Sequence, residues 1–417
     1  MATTNHPCYS PEAGVSHGRV HLPVARGCNI QCNYCNRLYD CVNESRPGVT
    51  SAVLSPQQAL YYLQKVIPLL DCNISVVGIA GPGDPFADPE NTIDTLKLVR
   101  KNFPEILTCV ASNGLNLADY AKILADIGVG HVTVTVNAID PEITAKVISW
   151  ARFKGRLYRG VEAGKILVER QLLAVKALKD NGITVKINSI VIPGVNDHHI
   201  ASLSKAMKDL GADVMNCLPM HPVEGTPFES LSKPDHEMMQ KVRWDVSQNV
   251  KVVRHCAMCR ADAAGRLGQA NSQIVHELLQ STALLPLNPL ENRPYIAVAS
   301  REGMLVNEHL GQAQQFFVYD IEDSTFPVIE IRNVVESGVG FNRWGHLAEL
   351  LHDCKAIIVN QAGEPPKAAL VEAGIKVIVT EGLIEQALQS IRSGSEPIPV
   401  VNVKACSGGG CGAKPCG

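Results

Sequence analysis

The chain has 417 residues, 46% of them apolar and 19% charged, with a net charge of −3, as expected of an ordinary globular protein long enough for two domains. That balance argues against a basic nucleic-acid binder and a disordered chain. No run nears the roughly 18 apolar residues of a membrane helix, and MATTNHPCYSPEAG lacks a basic and apolar leader, so the expectation is a cytoplasmic protein with neither a nucleic-acid nor a membrane partner.

In chain order, short β-branched runs alternate with amphipathic stretches. The runs are RVHLPVA (19–25), ISVVGIA (74–80), LTCVAS (107–112), HVTVTV (131–136), TVKINSIVI (184–192), DVMNCL (213–218) and VKVVRH (250–255), with helices expected over 56–70, 90–102, 117–127, 161–181 and 198–210. Repeated β/α units predict an α/β fold: a parallel (β/α) barrel, partial or closed, over 1–280. Chemistry in such a fold gathers where strands end and loops begin.

STALLPLNPLENRP (281–294), with three prolines and no periodicity, reads as a linker. YIAVAS, QFFVYDI, VIEIR, AIIVN and KVIVT, with helices near 342–352, 365–373 and 383–392, predict a small α/β domain over 295–403. Residues 404–417 hold CSGGGCGAKPCG, too glycine-rich to pack and read as a flexible tail; ordering Cys406, Cys411 and Cys416 there would cost entropy that nothing nearby offsets.

In a reducing compartment 14 cysteines are too many for structural disulfides, so their clustering points to metal ligation or redox chemistry. Just after the first strand, Cys28-x3-Cys32-x2-Cys35 offers three staggered thiolates, enough for three irons of a cubane and leaving the fourth open. The competing reading is a zinc knuckle, but structural zinc prefers four closed ligands in paired spacings. The spacing resembles the signature of the radical S-adenosylmethionine (radical SAM) superfamily. That resemblance implies a 4Fe–4S cluster whose open iron takes the amino and carboxylate groups of S-adenosylmethionine (AdoMet) and whose electron cleaves it.

The second strand runs into Gly81-Pro82-Gly83-Asp84-Pro85, where glycines allow close backbone approach and Asp84 can orient an ammonium group. It resembles the superfamily's AdoMet amino-binding loop. Asn113 in Ser112-Asn113-Gly114, Asn137, and Ile192 in the stretch 190–197 stand at later strand exits and are further candidates for AdoMet binding, against plain turn chemistry.

His6-Pro7-Cys8, His21, Cys41, Cys109 and Cys256-x2-Cys259 also fall near strand ends or the first loop of the same barrel. Taken singly, a buried cysteine or histidine is usually packing, and Cys72, Cys217 and Cys354 read as core. Two thiolates spaced as Cys256 and Cys259 can grip one metal or cluster.

HPCYSPEA, HLPVARGCNIQCNYCNRLYDCVNESRPGVTS and RHCAMCRADAAG make the resemblance specific: residues 5–270 are similar to the NifB family of nitrogenase cofactor biosynthesis proteins. The resemblance implies three 4Fe–4S clusters, one radical cluster and two substrate clusters that are fused around an AdoMet-derived carbide. Carried over, Cys8, His21 and Cys109 hold one substrate cluster, and Cys41, Cys256 and Cys259 hold the other. Incomplete ligation suits a departing substrate, and imidazole is a more easily displaced donor than thiolate. Glu44 and Arg46, just past Cys41, are candidates for the acid–base work, against an ordinary salt bridge. Implied partners are AdoMet, iron–sulfur cluster donors, an electron donor and cofactor carrier or scaffold proteins.

VASREGMLVNEHLGQAQQFFVYDI resembles the NifX-like cofactor-binding domains, in which His309 would be a displaceable ligand. Two rival functions are a molybdopterin-pathway radical SAM enzyme and a cluster carrier without catalysis. The first expects a third cysteine well after the CxxC pair, and here none follows Cys259 until Cys354, beyond the linker. The second leaves the AdoMet signature without a purpose.

Overall fold

A computed structural model describes residues 6–36, 52–256, 261–269, 272–285, 287–289, 293–334, 343–395 and 397. The chain divides into two compact units, Met1–Ala283 with Asn288–Leu290, and Leu284–Leu287 with Glu291–Gly417. No helix among the described residues is long and apolar enough to cross a membrane.

The strands of the first unit are β1 (His17–His21), β2 (Ile30–Cys32), β3 (Asn73–Ile79), β4 (Leu107–Ser112), β5 (His131–Thr135), β6 (Ile148–Phe153), β7 (Arg156–Tyr158), β8 (Thr184–Val191), β9 (Val214–Pro219), β10 (Lys251–Val252) and β11 (Ala264–Arg266). Seven of them run parallel in the order β1-β3-β4-β5-β8-β9-β10, one for each run read in the sequence. The eighth, β11, pairs antiparallel with β1, and β10 and β11 form the two edges, so the barrel is partial.

Helices α1 (Pro11–Ser16), α2 (Pro56–Val66), α3 (Pro89–Asn102), α4 (Ala121–Ile127), α5 (Pro141–Val147), α6 (Gly160–Asp180), α7 (Ile200–Asp209), α8 (His236–Ser247) and α9 (Gln273–Leu284) complete the unit. Strand residues alternate between faces, so Val20, Val77, Val110, Val132 and Val185 meet helical Leu63, Leu96, Leu124 and Leu178 in one core. The opposite, inward face is polar, with His21, His131, Thr133, Lys186, Asn188 and Asn216 all buried. A buried polar face lining a barrel is the arrangement of a binding interior, not of a packed core.

Two features were not legible in the sequence. The β2 strand that carries Cys32 pairs with β6, and β6 with β7, in a separate antiparallel sheet. The short helix α5 that leads into β6 is started by Asp140, whose carboxylate accepts from Glu142 N and Ile143 N. Helix α9 runs to Leu284, so the first four residues of the expected linker are helical.

In the second unit, β12 (Tyr295–Ala299), β13 (Leu305–Val306), β14 (Gln315–Asp320), β15 (Val328–Asn333), β16 (Cys354–Val359), β17 (Lys376–Val379) and β18 (Gly382–Leu383) follow. Five form a mixed sheet ordered β15-β14-β12-β16-β17, and β13 pairs with β18. One face packs on α10 (Arg343–Leu350) and α11 (Glu364–Glu372), the other on α12 (Ile384–Arg392). Cys217 and Cys354 are fully buried, and burial pushes both thiols up to about 12; Cys72 packs against the barrel core. These three are structural.

Candidate active site: a cysteine loop above a polar barrel

The exits of β1 and β3 are pressed together backbone to backbone. Ala25 N donates to Gly81 O at 3.3 Å, Gly83 N to Ala25 O at 2.6 Å and Asp84 N to Gly27 O at 2.7 Å. Gly81 has φ +135°, and a Cβ on Gly83 would collide with the carbonyl oxygen of Gly27. The glycines therefore serve first to seat the segment that leads into Cys28. Asp84 is buried and accepts from Phe86 N at 2.9 Å, Ser112 Oγ at 3.0 Å and Asn113 N at 2.6 Å, which commits it to fixing the exit of β4.

The cysteine loop closes on itself. Cys35 N donates to Cys32 O at 3.1 Å, and Gln31 Nε2 donates to Cys35 O at 2.6 Å. All three cysteines join one apolar cluster with Ile30, Tyr34, Leu115 and Ile192, in which Cys32 is buried and Cys28 and Cys35 half-buried. Asn113 Nδ2 donates to Asn29 Oδ1 at 2.7 Å and lies 3.8 Å from Cys28 Sγ. Asn137 joins two strand exits to the loop, donating to the Tyr34 hydroxyl at 3.0 Å and accepting from Ile190 N at 2.8 Å. Ile192 is fully buried and contributes wall, its N–H taken by Asn196 Oδ1 at 2.8 Å.

Beside this loop lies a small pocket lined by Cys32, Tyr34, Asn113, Thr135, Asn137 and Gln171, among others. Gln171 Nε2 donates to Asn113 O and Thr135 O, which turns its amide oxygen into a buried acceptor with no partner. Among the described residues no three His, Cys, Asp or Glu side chains converge on one ion. Thiolates on separate irons need not converge, so the loop suits a cluster better than a single metal. The donor set, three loop thiols and an unpartnered buried acceptor beside them, fits a four-iron cluster with AdoMet as its neighbour.

A second set of predicted ligands lies in the barrel interior. In register across the sheet run His21, Gly78, Cys109 and His131. With no side chain on Gly78, its neighbours close over it: a Cβ there would stand 2.9 Å from Cys109 Sγ and 3.0 Å from His21 Cδ2. Cys8 enters from the N-terminal segment, its N–H donating to His6 Nδ1 at 3.2 Å, and packs with Tyr9, Val214 and Val253. The Tyr9 hydroxyl is pushed up by burial, against the pull of Lys186, with Cys109 and Cys8 adding to the rise. The three predicted ligands thus surround one part of the interior.

Of the third set only Cys256 can be placed, and it is exposed. Its neighbour His255 is hydrogen-bonded through Nε2 to Pro7 O at 3.0 Å, tying the segment that bears Cys256 to the one that bears Cys8. Cys41, Glu44, Arg46 and Cys259 lie outside the described residues, as do the tail cysteines. In the second unit, His309 bridges to Gln361 and accepts from Gly311 N through Nδ1 at 2.9 Å, and the preceding Glu308 pairs with Arg301.

Sequence reading missed Tyr34, Gln171 and His131. Tyr34 stands between two of the cysteines and was detectable as an aromatic there. Gln171 sits mid-helix in α6 and His131 opens a strand, and neither position carries a local signal.

Residues 22–207 match the model of the radical SAM superfamily, and residues 292–394 match that of dinitrogenase iron-molybdenum cofactor domains. The FeMo cofactor biosynthesis protein NifB of Chlorobaculum tepidum is 49% identical over 392 residues, covering 94% of this chain and 92% of that protein. The protein of the same name from Klebsiella pneumoniae is 38% identical over 90% of this chain and 86% of its own length; that from Azotobacter vinelandii is 36% identical over 89% and 84%. Likeness along nearly the whole of both chains excludes the molybdopterin-pathway reading, and the matched radical SAM region excludes a carrier without catalysis. The chain belongs to the NifB family of radical SAM enzymes that act in FeMo cofactor biosynthesis.

Proposed function

We propose that the chain fuses two four-iron, four-sulfur substrate clusters around a carbide drawn from AdoMet, yielding the eight-iron precursor of the nitrogenase cofactor. The resident cluster on Cys28, Cys32 and Cys35, with AdoMet bound, supplies the methyl group and the radical chemistry. The observation that carries this reading is the placement of Cys109 and His21 inside the same barrel. Cys109 stands four residues before Asn113 on one strand and its exit, about 13 Å of extended chain, and Asn113 touches Cys28.

Each residue has a task. Gly81 and Gly83 seat the cysteine loop, Asp84 fixes Asn113, and Asn113, Asn137 and the Gln171 amide oxygen present polar groups to AdoMet. Ile192 walls the pocket off from water. Cys8, His21 and Cys109 hold one substrate cluster; Cys41, Cys256 and Cys259 hold the other, brought near by the contact of His255 with Pro7. Glu44 takes up protons released as the carbon is stripped of hydrogen, and Arg46 serves the same step as a permanently charged partner. The second unit takes the product for delivery to a carrier or scaffold protein, with His309 a candidate ligand. Cluster donors and an electron donor complete the set of partners.

Anaerobic reconstitution tests this. The full chain should bind about twelve irons, four per cluster, and form 5′-deoxyadenosine from AdoMet on reduction. Alanine at Cys28, Cys32 and Cys35 should abolish that product while about two thirds of the iron remains. A chain that binds only about four irons has no substrate sites of this kind.

A further inference from the structure

Two histidines in the barrel interior have no task in this scheme. His131 opens β5 directly beside Cys109, at the end of the row His21, Gly78, Cys109, His131. Residues in one row of a parallel sheet project to the same side, so its ring faces the way the Cys109 thiol faces. That ring is 2% exposed, and neither of its nitrogens has a hydrogen-bond partner.

His6 stands two residues before Cys8, is 1% exposed, and has its ring 4.6 Å from that of His131. Its Nδ1 accepts from Cys8 N, which leaves the proton of the neutral ring on Nε2. That Nε2–H is buried and has no acceptor. An imidazole carries at least one N–H in either tautomer, so the unpartnered ring of His131 offers a buried donor as well.

Packing alone does not account for these nitrogens. Tyr9 stacks edge-on with both rings, at 4.6 Å from His6 and 4.8 Å from His131, and phenylalanines would fill the same plug without burying unpaired polar atoms. Buried N–H groups beside three sulfur and imidazole ligands want an electron-rich acceptor. The inorganic sulfides of a metal–sulfur cluster are such acceptors, and Lys186, with Nζ 5.8 Å from the Tyr9 ring, adds positive charge to the same floor. A net-negative cluster suits that environment.

We propose that His131 and His6 position the substrate cluster by donating N–H bonds to its sulfides, an inference that rests on Cys8, His21 and Cys109 being the ligands of that cluster. The test uses the full chain with alanine at Cys28, Cys32 and Cys35, reconstituted anaerobically with iron and sulfide, so that only substrate clusters are read. His131→Phe keeps a ring in the plug and removes both nitrogens, and His131→Gln restores an N–H. Hydrogen bonds to cluster sulfurs raise its potential. His131→Phe should therefore keep its iron and show a lower midpoint potential, and His131→Gln should recover part of the shift.

A second measurement leaves both histidines in place. With histidine labelled by 15N and His21→Cys removing the direct imidazole ligand, pulsed EPR of the reduced cluster should retain a weak nitrogen coupling. An unchanged potential in folded His131→Phe, or no residual coupling in the labelled His21→Cys chain, overturns the inference. If the phenylalanine variant does not fold, the labelled chain decides. Full iron retained by Cys8→Ala and Cys109→Ala would instead remove the substrate site itself, an outcome distinct from a silent His131→Phe.

Discussion

A Cβ on Gly83 meets the Gly27 carbonyl, and one on Gly78 meets Cys109 and His21, so these two glycines stand beside the two different cluster sites proposed. Gly83→Ala should displace the cysteine loop, reducing iron by about one third and AdoMet cleavage by about 100-fold or more, read as 5′-deoxyadenosine formed. Gly78→Ala should remove a comparable share of iron yet leave AdoMet cleavage standing. Equal loss of cleavage in both variants would refute the separation of the two sites. Protonation acts at the same scale. Burial holds His131 down at about 4, while in the unfolded chain it titrates near 6.5. The unfolded state then binds the extra proton first, so stability is full above about pH 6.5 and falls as pH drops toward 4, by about 3 kcal/mol for this group. Thermal melts of the iron-free chain across that range should show the fall, and His131→Phe should flatten it.

Elements differ in how openly their sequences declare them. The central parallel strands read as near-continuous apolar runs where both faces are covered, as in HVTVT, where all five residues are buried. By contrast β2, β6 and β7 are short and partly exposed, and their pairing joins the cysteine loop to a hairpin more than a hundred residues away. Helix α5 supplies Thr144 and Val147 to the cavity wall before entering that hairpin. Asp140→Ala deletes its cap and should cost about 1 kcal/mol. In a unit of this size that is a fall of about 2–4 °C in Tm. AdoMet affinity, measured by equilibrium binding, should weaken with it; unchanged melting and affinity would mean that α5 does not hold the wall.

For the whole molecule, the division into two units turns on α9. Val275 and Leu279 of that helix are buried in the barrel core, so the helix belongs to the first unit although its end overlaps the proline-rich stretch. A chain ending at Ser272 forfeits both side chains, about 3–6 kcal/mol of apolar burial, and should aggregate or melt early. One ending at Leu290 should fold and still cleave AdoMet. Soluble, active protein from the shorter chain would show that α9 is dispensable.

Local pattern alone determined the β/α order, the cysteine spacing of the first loop and the five strands of the second unit's mixed sheet. Each of these depends on residues close together in the chain, where periodicity, turn chemistry and ligand spacing act directly. Cys28, Cys32 and Cys35 could be grouped from the sequence for that reason. The meeting of His21, Gly78, Cys109 and His131 was decided only by the tertiary structure, because neighbours in that row are more than twenty residues apart. The register of parallel strands is set by the packing of the intervening helices onto the sheet, and no local signal encodes it. So the sequence could name candidate ligands singly, and the fold alone could place an unassigned histidine beside them.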